Sequence, residues 1–243
     1  IDTHLENGRW SLDFDELERK AKHPKTKLFL LCNPMNPCGS VLTKQELQQI
    51  ESICLANDVL ICSDEIHCDL ILDEEIKHIP AGTLPKIGEQ TITLMAASKT
   101  FNVAGLSTAF AIIPDSNIRA KYLGTIATQM WVNALGLRAT ELAFTQCDAW
   151  YEQQLVYLRS NRDYLASSFS ELPGFNYIPA AATYLAWVDA SALAVQDVQK
   201  YFLSKGVAPS SGQDFGWPSF SRINFACPRI HLEQAIEKLR SDE

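Results

Sequence analysis

The first two-thirds of the chain alternates short apolar runs with amphipathic stretches. Lys27 to Cys32 and Val59 to Cys62 are apolar runs of strand length. Each ends in polar residues, Asn33-Pro34 and Ser63-Asp64-Glu65, as parallel strands buried on both faces do. Between them Thr43 with Glu46 spells a capping box. Leu47, Ile50, Ile53 and Cys54 then recur at three- and four-residue steps, which predicts a helix with one buried face. Asp13, with Glu16 three residues on and Leu12 and Leu17 as a hydrophobic staple, predicts an earlier helix start. Thr91 to Ala97 and Leu106 to Ile113 are two further strand candidates. This rhythm predicts an α/β sheet.

After Pro114 the pattern changes. Ile118 to Met130 and Leu135 to Phe169 read as helices, the second long or broken near Cys147-Asp148. Thr183 to Val188 alternates like a half-exposed strand, Asp197 to Ser204 reads as a helix, Arg222 to Ala226 as a strand and His231 to Arg240 as a closing helix. Helices with scattered strands predict a second, smaller α+β unit, so the chain divides into 1–130 and 131–243.

Composition narrows the function classes. Lys and Arg number 21 against 29 Asp and Glu, a net charge of −8 over 243 residues, which argues against general nucleic-acid binding. No apolar run approaches the roughly 18–20 residues that span a bilayer. Seven cysteines without a C-x-x-C pair point to a reducing compartment, the cytoplasm, rather than a disulfide scaffold. Cys62, His67 and Cys68 are close enough to raise zinc, but no second ligand pair follows, and no metal is expected. The opening Ile1-Asp2-Thr3-His4 lacks an initiator Met and a signal-peptide layout, so a processed or truncated chain is expected.

Three polar clusters follow apolar strands directly: Asn33 to Gly39, Asp64 to His67, and Ser98 to Asn102. Ligands of α/β sheets sit at the carboxyl ends of strands, where a carboxylate, a lysine and an amide would share a pocket. Turns and caps also concentrate these residue types, so spacing alone leaves an ordinary capping role open.

The wording of the clusters carries more. Asn33-Pro-Met-Asn-Pro-Cys-Gly39, Asp64-Glu-Ile-His67, Ser98-Lys-Thr-Phe-Asn-Val-Ala-Gly-Leu106 and Arg222-Ile-Asn-Phe-Ala-Cys-Pro228 resemble fold-type I pyridoxal-phosphate enzymes. Among these they are most similar to the cystathionine β-lyase branch of the class I/II aminotransferase family, as are Tyr157 to Arg162 and Thr183 to Trp187. The resemblance implies an N-terminally truncated PLP-dependent transferase-like large domain with a smaller α+β C-terminal domain. It implies that Lys99 binds the cofactor aldehyde and moves the substrate Cα proton. Asp64 would pair with the pyridine nitrogen, Asn36 would hydrogen-bond the ring 3-oxygen, and His67 would stand where many relatives carry a Tyr to that oxygen. Arg222 would take the substrate α-carboxylate in a bidentate fork. Asn33 is read as a turn partner, Glu65 as structural and Arg229 as a surface charge.

Two positions depart from the pattern. Ala96 and Ser107 stand where many relatives place a Ser and an Arg toward the cofactor phosphate. The expected activity is a C–S β-lyase acting on cystathionine- or cysteine-type L-amino acids, giving pyruvate, ammonia and a thiol, in a homodimer. An aminotransferase is the neighbouring alternative, and an aminotransferase-like effector module of a transcription regulator the non-enzymatic one. The isolated chain could also be inactive.

Overall fold

The computed structural model describes residues 1–126 and 132–241. Its first element is a hairpin that the apolar pattern did not predict: β1 (Thr3–Glu6) pairs antiparallel with β2 (Arg9–Leu12). Asn7 and Gly8 turn it, both at positive φ (49° and 76°), the conformation that makes Asn-Gly a favoured two-residue connection.

β2 leads into α1 (Phe14–Ala21), capped as predicted by Asp13, whose carboxylate accepts from the Glu16 N–H at 2.8 Å. After β3 (Leu28–Cys32) comes α2 (Lys44–Ala56) with a complete capping box. The Glu46 N–H donates to Thr43 Oγ1, and the Thr43 N–H to Glu46 Oε2. Leu47 and Ile50 are fully buried on its inner face. Each such side chain contributes about 1.5–3 kcal/mol on leaving water.

β4 (Leu60–Asp64), β5 (Ile92–Met95) and β6 (Phe110–Ile112) complete a sheet in the order β3-β4-β5-β6, with α3 (Ala97–Thr100) between the last two strands. The first three strands are parallel and β6 is antiparallel. Leu31, Ile61, Ser63 and Thr93 bury one face. The other face carries Leu28, Leu30 and Leu94, exposed at 46%, 72% and 36%. The register Cys32–Asp64–Leu94 places Asp64 on that open face.

α4 (Ser116–Ile126) follows; the remainder of the predicted helix, to 130, lies outside the described residues. α5 (Ala134–Gln146) and α6 (Asp148–Ser170) break at Cys147, as the sequence predicted. By compactness the chain forms two units. The first comprises Ile1–Pro34, Val41–Ile71 and Glu75–Glu152, the second Met35–Ser40, Leu72–Glu74 and Gln153–Glu243. The division falls inside α6 rather than at 130/131, because Leu158, Leu165 and Phe169 on its later turns are core residues of the second unit.

In the second unit β7 (Asn176–Tyr177), β8 (Leu185–Asp189), β9 (Ser210–Ser211) and β10 (Phe220–Asn224) form an antiparallel sheet in the order β7-β8-β10-β9. α7 (Val198–Ser204) precedes β9, and α8 (Arg229–Arg240) closes the chain. β8 is not half-exposed as its alternation suggested. Leu185, Ala186, Trp187 and Val188 are all buried, because both faces of this strand are covered. The Met35–Ser40 turn is locked into the same unit through Gly39, at φ +70°. A Cβ there would lie 2.5 Å from Ala180 Cβ and 2.7 Å from the Ala182 carbonyl, and the Ala182 N–H donates to the Gly39 carbonyl at 2.9 Å.

Candidate active site

The first unit carries three of the sequence-selected residues, Asp64, His67 and Lys99, at or beyond the ends of neighbouring parallel strands. Asp64 ends β4, and Lys99 lies in α3, four residues past the end of β5. Asp64 is exposed; its Oδ1 accepts from the Ile66 N–H at 3.1 Å, and its Oδ2 has no partner among the described residues. Lys99 is half-buried, and its ammonium makes no hydrogen bond or ion pair among the described residues. Its helix is held by Phe101, which packs edge-on against Phe144 at 5.5 Å and beside Trp150 at 6.1 Å. The loop beyond is pinned where Asn133 Nδ2 donates to the Leu106 carbonyl at 2.7 Å. His67 is buried, 5% exposed, in the turn after Asp64.

A buried network that the sequence reading missed holds the ends of β3 and β4. Glu65, 1% exposed, accepts from His78 Nε2 at 2.8 Å and from the Ala81 N–H at 2.8 Å. Asn33, fully buried, accepts from the Leu42 N–H with Oδ1 at 3.0 Å, so its Nδ2 is the group 3.5 Å from His78 Nδ1. That orientation makes Nδ1 an acceptor and leaves the Nε2 proton for Glu65. The Asn33 N–H donates to the Asp64 carbonyl at 3.0 Å, which ties the network to the backbone of the candidate carboxylate. Glu65 and Asn33 are thus structural, as read. His78 escaped notice because a lone histidine in a loop carries no pattern.

The thiols nearby are held in their protonated form. Burial, with help from the Asp69 and Glu65 charges, pushes the Cys68 thiol up to about 12, and burial, with the Asp64 charge, raises Cys62. Thiolates, the metal-binding and nucleophilic form, are disfavoured at both.

The second unit carries the other two residues in contact. Arg222 on β10 donates from Nη1 to Asn36 Oδ1 at 2.9 Å and from Nη2 to Ser210 Oγ at 3.0 Å. With its oxygen facing Arg222, Asn36 turns its NH2 donors elsewhere. Arg222 has no carboxylate partner within 4.0 Å among the described residues, unlike Arg9, Arg159 and Arg162, which pair with Glu46, Glu74 and Asp73. Burial lowers its pKa somewhat, and burial raises the Tyr184 phenol despite the opposing Arg222 charge. Arg229 is not a free surface charge. Its Nε donates to Asn161 Oδ1 at 2.9 Å and its Nη2 to Ser160 Oγ at 2.8 Å, and its guanidinium lies 4.6 Å over the Tyr164 ring. It fastens α8 to α6.

A sequence model of the aminotransferase class I and II family matches residues 3–239. The chain belongs to that family. It is 33% identical over 244 residues to "Cystathionine beta-lyase PatB" of Bacillus subtilis (strain 168), covering 97% of this chain and 63% of that protein. It superposes on the crystal structure of OvoB with a TM-score of 0.94 at 40% identity, over 99% of this chain and 65% of that one. Cystalysin from Treponema denticola, whose structure contains a pyridoxal 5′-phosphate cofactor, gives 0.92 at 31% identity, over 98% and 62%. The chain therefore spans under two-thirds of the length of these relatives.

The donor set suits that cofactor. In the first unit, a lysine without a partner among the described residues and a carboxylate with one oxygen uncommitted are groups of the kind that an aldehyde and a protonated ring nitrogen require; in the second, the Asn36 amide presents its donors. Neither of the two departing positions offers a cation to the phosphate. Ala96 caps α3 without a side-chain bond, and Ser107 is an exposed residue at φ 49°.

Proposed function

We propose that the protein carrying this chain is a pyridoxal-phosphate-dependent C–S β-lyase for cystathionine- or cysteine-type L-amino acids, releasing pyruvate, ammonia and a thiol. The observation that carries this reading is the uncommitted Lys99 following the strand next to that of Asp64, in a chain 33% identical to a cystathionine β-lyase. Bound at this site, the cofactor would supply the electron sink that lets a Cα proton leave.

The residues of this chain have distinct tasks. Lys99 anchors the cofactor and then, as a free amine, takes the Cα proton. Asp64 keeps a proton on the ring nitrogen through charge pairing. Asn36 donates to the 3-oxygen through its NH2, its own oxygen being held by Arg222. His67, three residues after Asp64, is the neighbour of that oxygen. Arg222 accepts the α-carboxylate, for which its planar fork is suited. The intact protein works as a homodimer in the cytoplasm.

The test is to incubate the full-length, cofactor-loaded protein with L-cystathionine and no keto-acid acceptor. Pyruvate and ammonia in equal amounts are expected. Amino transfer that depends on added keto acid, with no pyruvate, would replace the lyase by an aminotransferase.

A further inference from the structure

Arg222 is held on more sides than a carboxylate binder needs for stability. In the antiparallel register it stands opposite Trp187 of β8 and Ser210 of β9, so the three side chains share one face of the sheet. Ser210 takes one Nη2 proton and Asn36 one Nη1 proton. The Arg222 Cζ lies over the Phe215 ring, 4.9 Å from its centroid. Phe215 is itself braced by Trp187, whose ring meets it edge-on at 5.6 Å and stacks with Phe220 at 5.0 Å.

The loop that delivers this ring is built for one path. A Cβ on Gly212 would lie 2.1 Å from the Trp217 carbonyl and 2.3 Å from that of Phe220, so only glycine lets the loop close this tightly. Gly216, at φ +81°, ends the 3-10 turn Gly212–Phe215 immediately after the ring. Asp214, the residue before Phe215, carries a carboxylate on the same short turn as the ring, yet makes no ion pair with Arg222 within 4.0 Å. An arginine with freedom to move would turn to that carboxylate.

We infer that Phe215 and Ser210 are positioning residues that hold the Arg222 guanidinium away from Asp214, keeping its uncommitted N–H donors for the carboxylate of an amino-acid substrate. Two of the five N–H groups are used by Asn36 and Ser210, which leaves three for a bidentate carboxylate. The ring shields one face of the cation from water, which strengthens its pull on the incoming anion. Asp214 is the internal competitor that the ring and hydroxyl keep out. This rests on the reading of Arg222 as the carboxylate binder.

Steady-state kinetics of the full-length holoenzyme with L-cystathionine tests it. Phe215→Leu should raise KM about five- to thirtyfold while kcat stays within about twofold, the range of a partly desolvated cation–π contact. Phe215→Tyr should keep KM near the parent value. Adding Asp214→Asn to Phe215→Leu should return most of the lost affinity, which a merely structural role for the ring would not produce. Ser210→Ala leaves the aromatic packing untouched and should raise KM about three- to tenfold, so the inference remains testable if Phe215→Leu fails to fold. Arg222→Lys separates the two levels. If it raises KM while Phe215→Leu and Ser210→Ala do not, the positioning role is overturned and Arg222 stands as the binder. If Arg222→Lys leaves KM unchanged, the assignment of Arg222 fails and the inference with it.

Discussion

Replacing His78 by leucine should destabilise the protein far more than a loop substitution ordinarily does. The Glu65 side chain is 2% exposed, and its two oxygens each accept one hydrogen bond, from His78 Nε2 and the Ala81 N–H. Without the imidazole one oxygen stays desolvated and unpaired. Leaving a buried charged acceptor without its hydrogen bond costs about 1–3 kcal/mol or more, and the buried carboxylate puts this case at the upper end, about 3 kcal/mol. For a chain of this size each kcal/mol moves Tm by about 2–4 °C, so a fall of about 6–12 °C is expected. Glu65→Leu should cost a comparable amount, because it strands the ring and the Ala81 N–H together. The double variant removes both partners at once and should cost about as much as one single change, a coupling of about 3 kcal/mol. Urea unfolding of the four proteins, followed by circular dichroism, measures the cycle. Additive losses would show that the two groups do not act as a pair, and the reasoning would fail. A further consequence follows for the site: the Asn33 N–H bond to the Asp64 carbonyl should loosen in His78→Leu, speeding exchange of that amide.

Other outcomes are equally specific. Lys99→Ala should abolish cofactor attachment: after borohydride treatment of the full-length holoenzyme, mass spectrometry should find the pyridoxyl adduct on the Lys99 peptide of the parent and nowhere on the variant. Gly39→Ala combines a left-handed φ with contacts of 2.5 and 2.7 Å against Ala180 and Ala182, and should cost about 2–4 kcal/mol in the same urea assay. Glu46 gives a pH signature. Burial pushes its carboxyl up, but the Arg9 guanidinium, the Thr43 N–H and the Ser11 and Thr43 hydroxyls outweigh burial and hold it below 4.5. A folded-state value below the unfolded one means the stabilisation is complete above 4.5 and is lost as pH falls through the folded value. Tm of Glu46→Gln should therefore vary less with pH below 4.5 than that of the parent.

Local chemistry made much of the fold legible. The caps at Asp13 and Thr43 occur where the side-chain order demanded, because a cap is settled within four residues. The break at Cys147 and the strand ending at Cys32 were equally readable, whereas β4 runs two residues past its predicted end at Cys62, to Asp64. The hairpin at Asn7-Gly8 left a turn signal, but its strands are only four residues long. β7 and β9, two residues each, are too short for any period and exist only because β8 and β10 offer them edges.

By itself the sequence singled out the candidate residues, since Lys99, Asp64, Asn36, His67 and Arg222 stand in strings whose wording is specific. It also placed Asn36, Asp64, His67 and Lys99 at or beyond strand ends, because apolar runs end where the polar residues begin. Tertiary structure alone decided their surroundings. It faced the Asn36 oxygen to Arg222, buried His78 against Glu65 and fastened Arg229 to α6. It also set an aromatic ring over a guanidinium that has no carboxylate within 4.0 Å among the described residues. The physical reason is range: caps and strand ends are decided by neighbours in the chain, whereas a partner 186 residues away, as Asn36 is from Arg222, is chosen only when packing brings the two together.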